Sequence, residues 1–312
     1  MKVFLFLFFA ATFPLFGAER TQVMMGTYAT VSLPDAEAAC ADDAFAAMRG
    51  VDKTLSSYDP AAEIYRLNHD RSVPISAMTY DALCRAKRYY EQSGGYFDVT
   101  VGALTRGAYR FGEAERVPGT AERLRAAVGF LLLDFNATHA VLKPGAMVDL
   151  GGFGKGYGID RAAAALKRCG AGRATVALSG DIRCLGRCKL AIQDPFSEGV
   201  LMTFETVGEE TGISTSGNYR RFVGERSNNH LIDPKTRTPE KVFASVTLIG
   251  AADSSDLDAW TTAASVMPPQ RALAFLASLP VAYVLVYNDG TIVKSADLGR
   301  YVTEGEPEDE DD

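Results

Sequence analysis

The chain has 312 residues, 47% of them hydrophobic, enough to bury a full core as one large domain or two. Its formal net charge is −7 and no basic stripe runs along it, which argues against a nucleic-acid partner. A polyanionic ligand must then be met by local dipoles or by a metal, because the global charge repels it.

The first 18 residues carry one lysine and then an apolar run broken by Pro14, the form of a signal peptide and too short for a comfortable membrane span. Gly17 and Ala18 offer a cleavage point, although Leu15 and Phe16 fit the small-residue rule poorly. The chain is therefore expected to be exported to the periplasm. Association with the inner membrane stays open, depending on whether the segment is removed. Residues 304–312 form a like-charge acidic run, expected to be disordered, which leaves 19–303 as the folded unit.

Residues 26–33 alternate like a strand, and 35–55 read as a helix with Ala39, Phe45, Ala46 and Met48 on its apolar side. A second helix is expected at 76–92, stopped by Ser93-Gly-Gly95, and a short third at 121–128. Strands at 131–135 and 140–143 lead to a glycine-rich run, with an alanine-rich helix at 159–169 after it. From there the chain is mostly β, with strands expected at 174–178, 188–194, 201–207, 212–214, 219–223 and 243–250. Helices at 255–266 and 270–278 precede a strand at 281–287 and the hairpin signal Asn288-Asp-Gly290. Strands clustered in runs, with helices between the clusters, predict an α+β fold with mainly antiparallel pairing, in a single domain.

Five cysteines are an odd number for an exported chain. Cys184 and Cys188 flank Leu-Gly-Arg between two strand-like runs and are placed for a cross-hairpin disulfide. Cys40 and Cys84, each in a predicted helix, are available to pair, which would leave Cys169 as a buried thiol at a helix end. Cys-x3-Cys without a second pair or a nearby histidine does not make a zinc site.

Chemistry is concentrated in four segments. Asp149-Leu-Gly-Gly-Phe-Gly-Lys-Gly-Tyr-Gly-Ile-Asp160 holds five glycines in eight positions, so its backbone can approach a ligand or make a tight turn into a helix whose amides face an anion. It has neither the dinucleotide fingerprint nor the Gly-Lys-Ser/Thr ending of a P-loop. Ile213-Ser-Thr-Ser-Gly217 is a hydroxyl cluster in which Ser214 and Thr215 are suited to a phosphate path or a strand end, and no Gly-x-Ser-x-Gly elbow accompanies it. His230-Leu-Ile-Asp-Pro234 contains one of only three histidines. In Asp258-Ala-Trp-Thr-Thr262, a carboxylate and a hydroxyl four residues apart rise from one helix face, an oxygen claw for a hard cation or a plain surface pair. Asp253 and Asp256 are expected to open that helix.

These four segments follow Met25-Gly-Thr27, Leu55-Ser-Ser-Tyr-Asp59, Ile64-Tyr-Arg-Leu-Asn68 and Gly95-Tyr-Phe-Asp-Val-Thr-Val-Gly102. In that order, over roughly residues 26–268, they resemble the ApbE family of FAD:protein FMN transferases. The resemblance implies Mg²⁺ bound by Asp258, Thr262 and a main-chain oxygen of the glycine run, which by counting belongs to Gly152. It implies FAD held at Tyr58, Asp98 and Asp149, although each has a rival structural role: closing a turn, capping a loop, bracing the glycine turn. Met25, Tyr58, Tyr96, Phe97 and Leu231 would give a flavin or adenine ring its apolar face. Lys155 stands where some members carry an acidic residue and others lysine, and is taken as a ligand contact. His230 matches the proposed general base.

The implied reaction moves FMN from FAD to a threonine of an exported acceptor protein, releasing AMP. Hydrolysis of FAD to FMN and AMP, and a non-catalytic FAD-binding protein, are the alternatives; Tyr58 favours transfer. The lipid anchor common in the family has no attachment cysteine here.

Overall fold

The computed structural model describes residues 17–305. Most of the expected signal segment and of the acidic tail therefore lies outside the described residues. β1 (Ala18–Met24) turns into β2 (Thr27–Leu33) through Met25 and Gly26, both at positive φ, 51° and 74°. Glycine accepts that conformation freely; Met25 is held in it by its amide, which donates to Asp52 Oδ2 at 3.0 Å. α1 (Cys40–Leu55) follows a 3-10 turn at Asp35–Glu37, so the helix expected from residue 35 starts five residues later. It buries Ala44, Phe45, Met48 and Val51 on one face. α2 (Glu63–Asp70) was not expected, since eight residues are too few for a helical period to stand out.

β3 (Ser72–Pro74) leads into α3 (Ala77–Gln92), whose N-terminus is capped by Ser76 Oγ accepting from the Thr79 amide. A π-helical turn at Ala103–Ala108, α4 (Thr120–Arg125), β4 (Leu133–Phe135) and β5 (His139–Leu142) come before α5 (Gly154–Cys169). Five strands follow: β6 (Ala174–Leu178), β7 (Asp181–Leu185), β8 (Lys189–Gln193), β9 (Val200–Thr206) and β10 (Glu210–Gly217). The expected strand at 219–223 is instead a series of bends with one isolated β-bridge, between Phe222 and Asn229. β11 (Ile232–Asp233), β12 (Thr238–Pro239), β13 (Phe243–Gly250), α6 (Ser254–Ser265), α7 (Pro269–Ala277), β14 (Ala282–Tyr287), β15 (Ile292–Lys294) and β16 (Val302–Glu304) complete the chain. Glu304, expected in the acidic tail, pairs with Phe204 of β9.

Eight strands form one antiparallel sheet in the order β1-β2-β6-β7-β10-β13-β14-β15. The fold is α+β with antiparallel pairing, as the sequence predicts. β13 is buried along its whole length because both sheet faces are covered. Val246 and Leu248 pack with Leu257 and Trp260 of α6. On the opposite face Ile182, Ile213, Ile249 and Val284 lie under Leu190, Ile192 and Phe204 of a small sheet ordered β16-β9-β8. A third cluster packs Phe45 and Met48 of α1 and Ile159 and Leu166 of α5 on Val31 and Val176. Each large side chain buried this way contributes roughly 1.5–3 kcal/mol.

Cys184 and Cys188 are bonded, as expected. Cys40 is bonded to Cys169, not to Cys84, which is a free thiol on α3. α1 and α5 lie antiparallel, so the start of one meets the end of the other, a neighbourhood that 129 residues of separation conceal.

Candidate active site

The glycine run divides in two: Gly151, Gly152 and Gly154 border a cavity, while Gly156 and Gly158 pack against protein. Gly154, Gly156 and Gly158 belong to α5, and the last two are packed against protein. A methyl group on Gly156 would sit 2.2 Å from the Ser254 carbonyl oxygen, and one on Gly158 would sit 2.9 Å from Met25 Sδ. Gly156 is thus a packing seam that lets α5 lie directly on the start of α6. The Gly156 amide donates to Asp258 Oδ2 at 3.1 Å, a partner within the protein rather than a ligand. Asp160, at the end of the run, fixes the seam: its two carboxylate oxygens accept from the Ser254 and Ser255 amides at 2.7 and 3.0 Å. That cap holds the N-terminus of α6. Asp253 occupies the cap position, but its carboxylate turns to Arg85, and Asp256 turns to Arg88 and the Tyr89 hydroxyl.

α6 thereby presents Asp258 and Thr262 one turn apart to the segment before α5. Thr262 Oγ1 donates to the Gly152 carbonyl at 3.0 Å, so two of the three expected metal-binding oxygens touch. Asp258 is buried, and Lys155 Nζ lies 3.4 Å from both of its carboxylate oxygens. Lys155 also pairs with Asp181 at 2.6 Å, and Asp181 in turn accepts from Ser214 Oγ. Burial and the negative Asp181 push the Asp258 carboxyl up. Burial works against the Lys155 charge, but Asp181 and Asp258 outweigh it and raise its pKa. Among the described residues no three His, Cys, Asp or Glu side chains cluster for a metal. One carboxylate, one hydroxyl and one carbonyl suit Mg²⁺, which keeps several waters, better than a transition metal.

These groups border a cavity of about 1230 Å³. Met25, Tyr58, Tyr96, Phe97, Asp98 and Leu231 line it, together with Asp149, Gly152, Lys155, Thr215, His230, Asp258 and Thr262. Ser214 is not on the lining; it is buried behind it on Asp181. Thr215 shares a hydrogen bond with Thr247 at 2.9 Å. Asp98 accepts from the Thr100 amide and hydroxyl, so it caps its own loop while bordering the cavity, and burial pushes its carboxyl up. Asp149 braces the glycine turn through the Gly151 amide at 2.9 Å and accepts from Thr105 Oγ1 at 2.6 Å. Thr105 lies in the π-helical turn, a form of backbone that often marks functional sites. Tyr58 stands at 43% exposure, its ring stacked on Arg106 with the guanidinium carbon 3.5 Å from the ring centre. Tyr96 carries Lys235 over its ring.

His230 is half-buried on the same wall. Its Nδ1 is 3.1 Å from the Arg221 carbonyl. Burial and the Arg221 charge hold its pKa down at about 4, so the ring is neutral at neutral pH. Asp181, Asp160 and Arg221 stand outside the candidates that the sequence offers. For Asp181 a signal existed: Ser179-Gly180 between two strand-like runs is a hairpin turn, and Asp181 begins the returning strand.

A family model described as "ApbE family" matches residues 25–285. The chain is 29% identical to the FAD:protein FMN transferase of Haemophilus influenzae, over 83% of this chain and 82% of that one. It is 28% identical to the FAD:protein FMN transferase of Escherichia coli K12, over 78% of this chain and 75% of that one. Among solved structures, the ApbE protein of Thermotoga maritima aligns with a TM-score of 0.83 and 25% identity, covering 91% of this chain and 98% of that one. A match from the β1–β2 turn into β14 takes in every segment that borders the cavity, and the chain belongs to the ApbE family.

Proposed function

We propose that the protein transfers FMN from FAD to a threonine hydroxyl of an exported acceptor protein, with Mg²⁺ bound, and releases AMP. What supports this best is the meeting of an oxygen donor set and a neutral imidazole in one cavity. Asp258, Thr262 and the Gly152 carbonyl would hold Mg²⁺. When bound there, the ion supplies relief of negative charge on a pyrophosphate. His230 would take the proton from the incoming hydroxyl, since a neutral hydroxyl is a poor nucleophile until a base removes it. The freed oxygen bonds to the phosphorus of the FMN half. The bond from that phosphorus to the bridging oxygen breaks, and AMP leaves with the oxygen and its electron pair.

The cavity exceeds the roughly 300–1,000 Å³ of an ordinary small-ligand pocket, as a site must that admits both a dinucleotide and a polypeptide. Relatives named as FAD:protein FMN transferases add weight to this reading. The signal-like N-terminus supports a periplasmic location for the enzyme and its acceptor.

The test is incubation of the purified protein with FAD, Mg²⁺ and candidate flavin-carrier proteins, followed by in-gel flavin fluorescence and intact mass. A carrier heavier by an esterified FMN is the expected product. Release of free FMN and AMP without a labelled carrier would make the enzyme a hydrolase, and unconsumed FAD would make the protein a flavin binder.

A further inference from the structure

Arg221 takes no part in the reaction as described above, yet both of its ends act at the site. Its carbonyl accepts twice from His230, once from the main-chain amide at 3.1 Å and once from ring Nδ1 at 3.1 Å. A carbonyl only accepts, so this contact requires the proton on Nδ1 and leaves Nε2 with its lone pair. The Arg221 side chain has its own partners. Its Nη2 donates to the Tyr58 hydroxyl at 2.9 Å, and the guanidinium lies 5.4 Å from the centre of the Phe111 ring. Phe111 meets the His230 ring edge-on, and its carbonyl accepts from the Tyr58 hydroxyl at 3.1 Å. Tyr58 itself is seated on Arg106, which is buried and bonded to the carbonyls of Phe111 and Ser57. Among the described residues no carboxylate forms an ion pair with Arg221.

We propose that Arg221 is a positioning residue for the general base: its carbonyl fixes His230 as the Nδ1–H tautomer, and its unpaired guanidinium, tethered to Tyr58, keeps the ring neutral with Nε2 free to accept a proton. The inference rests on the base role given to His230 above and adds how that role is maintained. Three charged groups act on the ring from three segments: Arg221 from the loop before β11, Lys155 from α5, and Asp149 from the turn before α5. Burial is the largest influence against protonation, the Arg221 charge comes next and Lys155 adds to it, while the hydrogen bond to the Arg221 carbonyl and the charge of Asp149 favour protonation. An arginine that merely packed against the loop would leave the titration of the imidazole unchanged.

With only His69, His139 and His230 in the chain, the imidazole signals of the full-length protein labelled with ¹⁵N-histidine can be followed individually. The wild type is expected to show the His230 Nδ1–H tautomer from pH 8 down to pH 5. Arg221→Gln should raise the His230 titration by about one unit or more, the size of shift that a neighbouring charge imposes. Arg221→Lys, which keeps the cation but not the planar fork, should hold it low. A folded Arg221→Gln protein with the wild-type titration would overturn the proposal, and so would an Nε2–H tautomer in the wild type. Should Arg221→Gln fail to fold, the wild-type tautomer and the Arg221→Lys titration still decide. The measurement needs neither FAD nor an acceptor, so its outcome is separate from that of the transfer assay.

Discussion

Thr262 Oγ1 and the Gly152 carbonyl oxygen are 3.0 Å apart, and Asp258 stands one turn before Thr262 on the same face of α6. A hydroxyl and a carbonyl already in contact, beside a buried carboxylate, form a corner in which a hard cation could replace the hydroxyl proton as the link. That corner exists because glycine at 156 and the cap from Asp160 bring α6 against the segment that carries Gly152.

Asp258 is the single carboxylate of the set, so its charge dominates the affinity for Mg²⁺. Asp258→Asn keeps an oxygen for the Gly156 amide and removes that charge. Because loss of an outer partner alone typically weakens a metal site about 10–100-fold, loss of this ligand should weaken it at least that much. Calorimetric titration of Mg²⁺ into protein saturated with FAD checks it, and an unchanged affinity would remove Asp258 from the metal site.

His230→Ala should retain FAD and Mg²⁺ binding while losing about two to four orders of magnitude in the rate of flavin transfer, the usual contribution of a general base. Single-turnover flavinylation measured across pH separates the effects. Transfer at the wild-type rate with an unchanged pH profile would return the proton to solvent or to Asp233.

Two glycines of one run should respond in opposite ways. Gly156→Ala places a methyl group against the Ser254 backbone oxygen and must part α5 from α6, a cost of about 1–3 kcal/mol or more. Gly154→Ala meets nothing within 4 Å and should be neutral or stabilising by up to about 1 kcal/mol. Denaturant titration of both variants gives the comparison. Equal losses would mean that the seam is not what these glycines serve.

Glu240 supports the segment that carries His230: its amide donates to the Leu231 carbonyl at 2.7 Å, and its carbonyl accepts from Asn229 Nδ2 at 2.9 Å. Burial pushes its carboxyl up to about 7 from an ordinary 4.5, against the opposing hydrogen bonds from the Phe243 and Val242 amides. Between those two pH values the folded protein holds a proton that the unfolded chain has released. The contribution to stability is therefore whole below about pH 4.5 and is lost as pH rises through 7, at most about 3 kcal/mol. Glu240→Gln should lose this slope. Denaturant titrations of both proteins at pH 5, 6, 7 and 8 would show the gap between them change with pH, and a constant gap would mean that Glu240 is ionised throughout.

Much of the fold was legible because long periodic elements declare themselves. α3 with its Ser76 cap, α6 and α7 fall within one or two residues of expectation, and the Asn288-Asp-Gly290 hairpin joins β14 to β15. Short elements such as α2 and β7 were lost because they offer too few residues to show a period. The glycine run serves two ends that sequence does not distinguish: lack of a side chain lets backbone border the cavity at Gly152 and lets α5 approach α6 at Gly156. Asp258, Thr262 and His230 were found through the family's motifs. Arg221 and Asp160 escaped because their work is done across the fold, on Tyr58 and on the Ser254 amide respectively.

The bond between Cys40 and Cys169 gives the two walls of the cavity different covalent standing. Tyr58, Tyr96, Asp98, Asp149, Gly152 and Lys155 all belong to the ring of chain that it closes, while Thr215, His230, Asp258 and Thr262 lie on open chain beyond it. A loop of this length constrains the unfolded ensemble by about 4–5 kcal/mol in the chain-entropy account, and all of that constraint falls on the first wall. For a chain emerging N-terminus first into an oxidising space, the hoop can shut as soon as residue 169 is out, before the wall that carries His230 and α6 has arrived. Under reducing conditions the unfolded chain would regain that freedom, and the covalent tie between the start of α1 and the end of α5 would be gone.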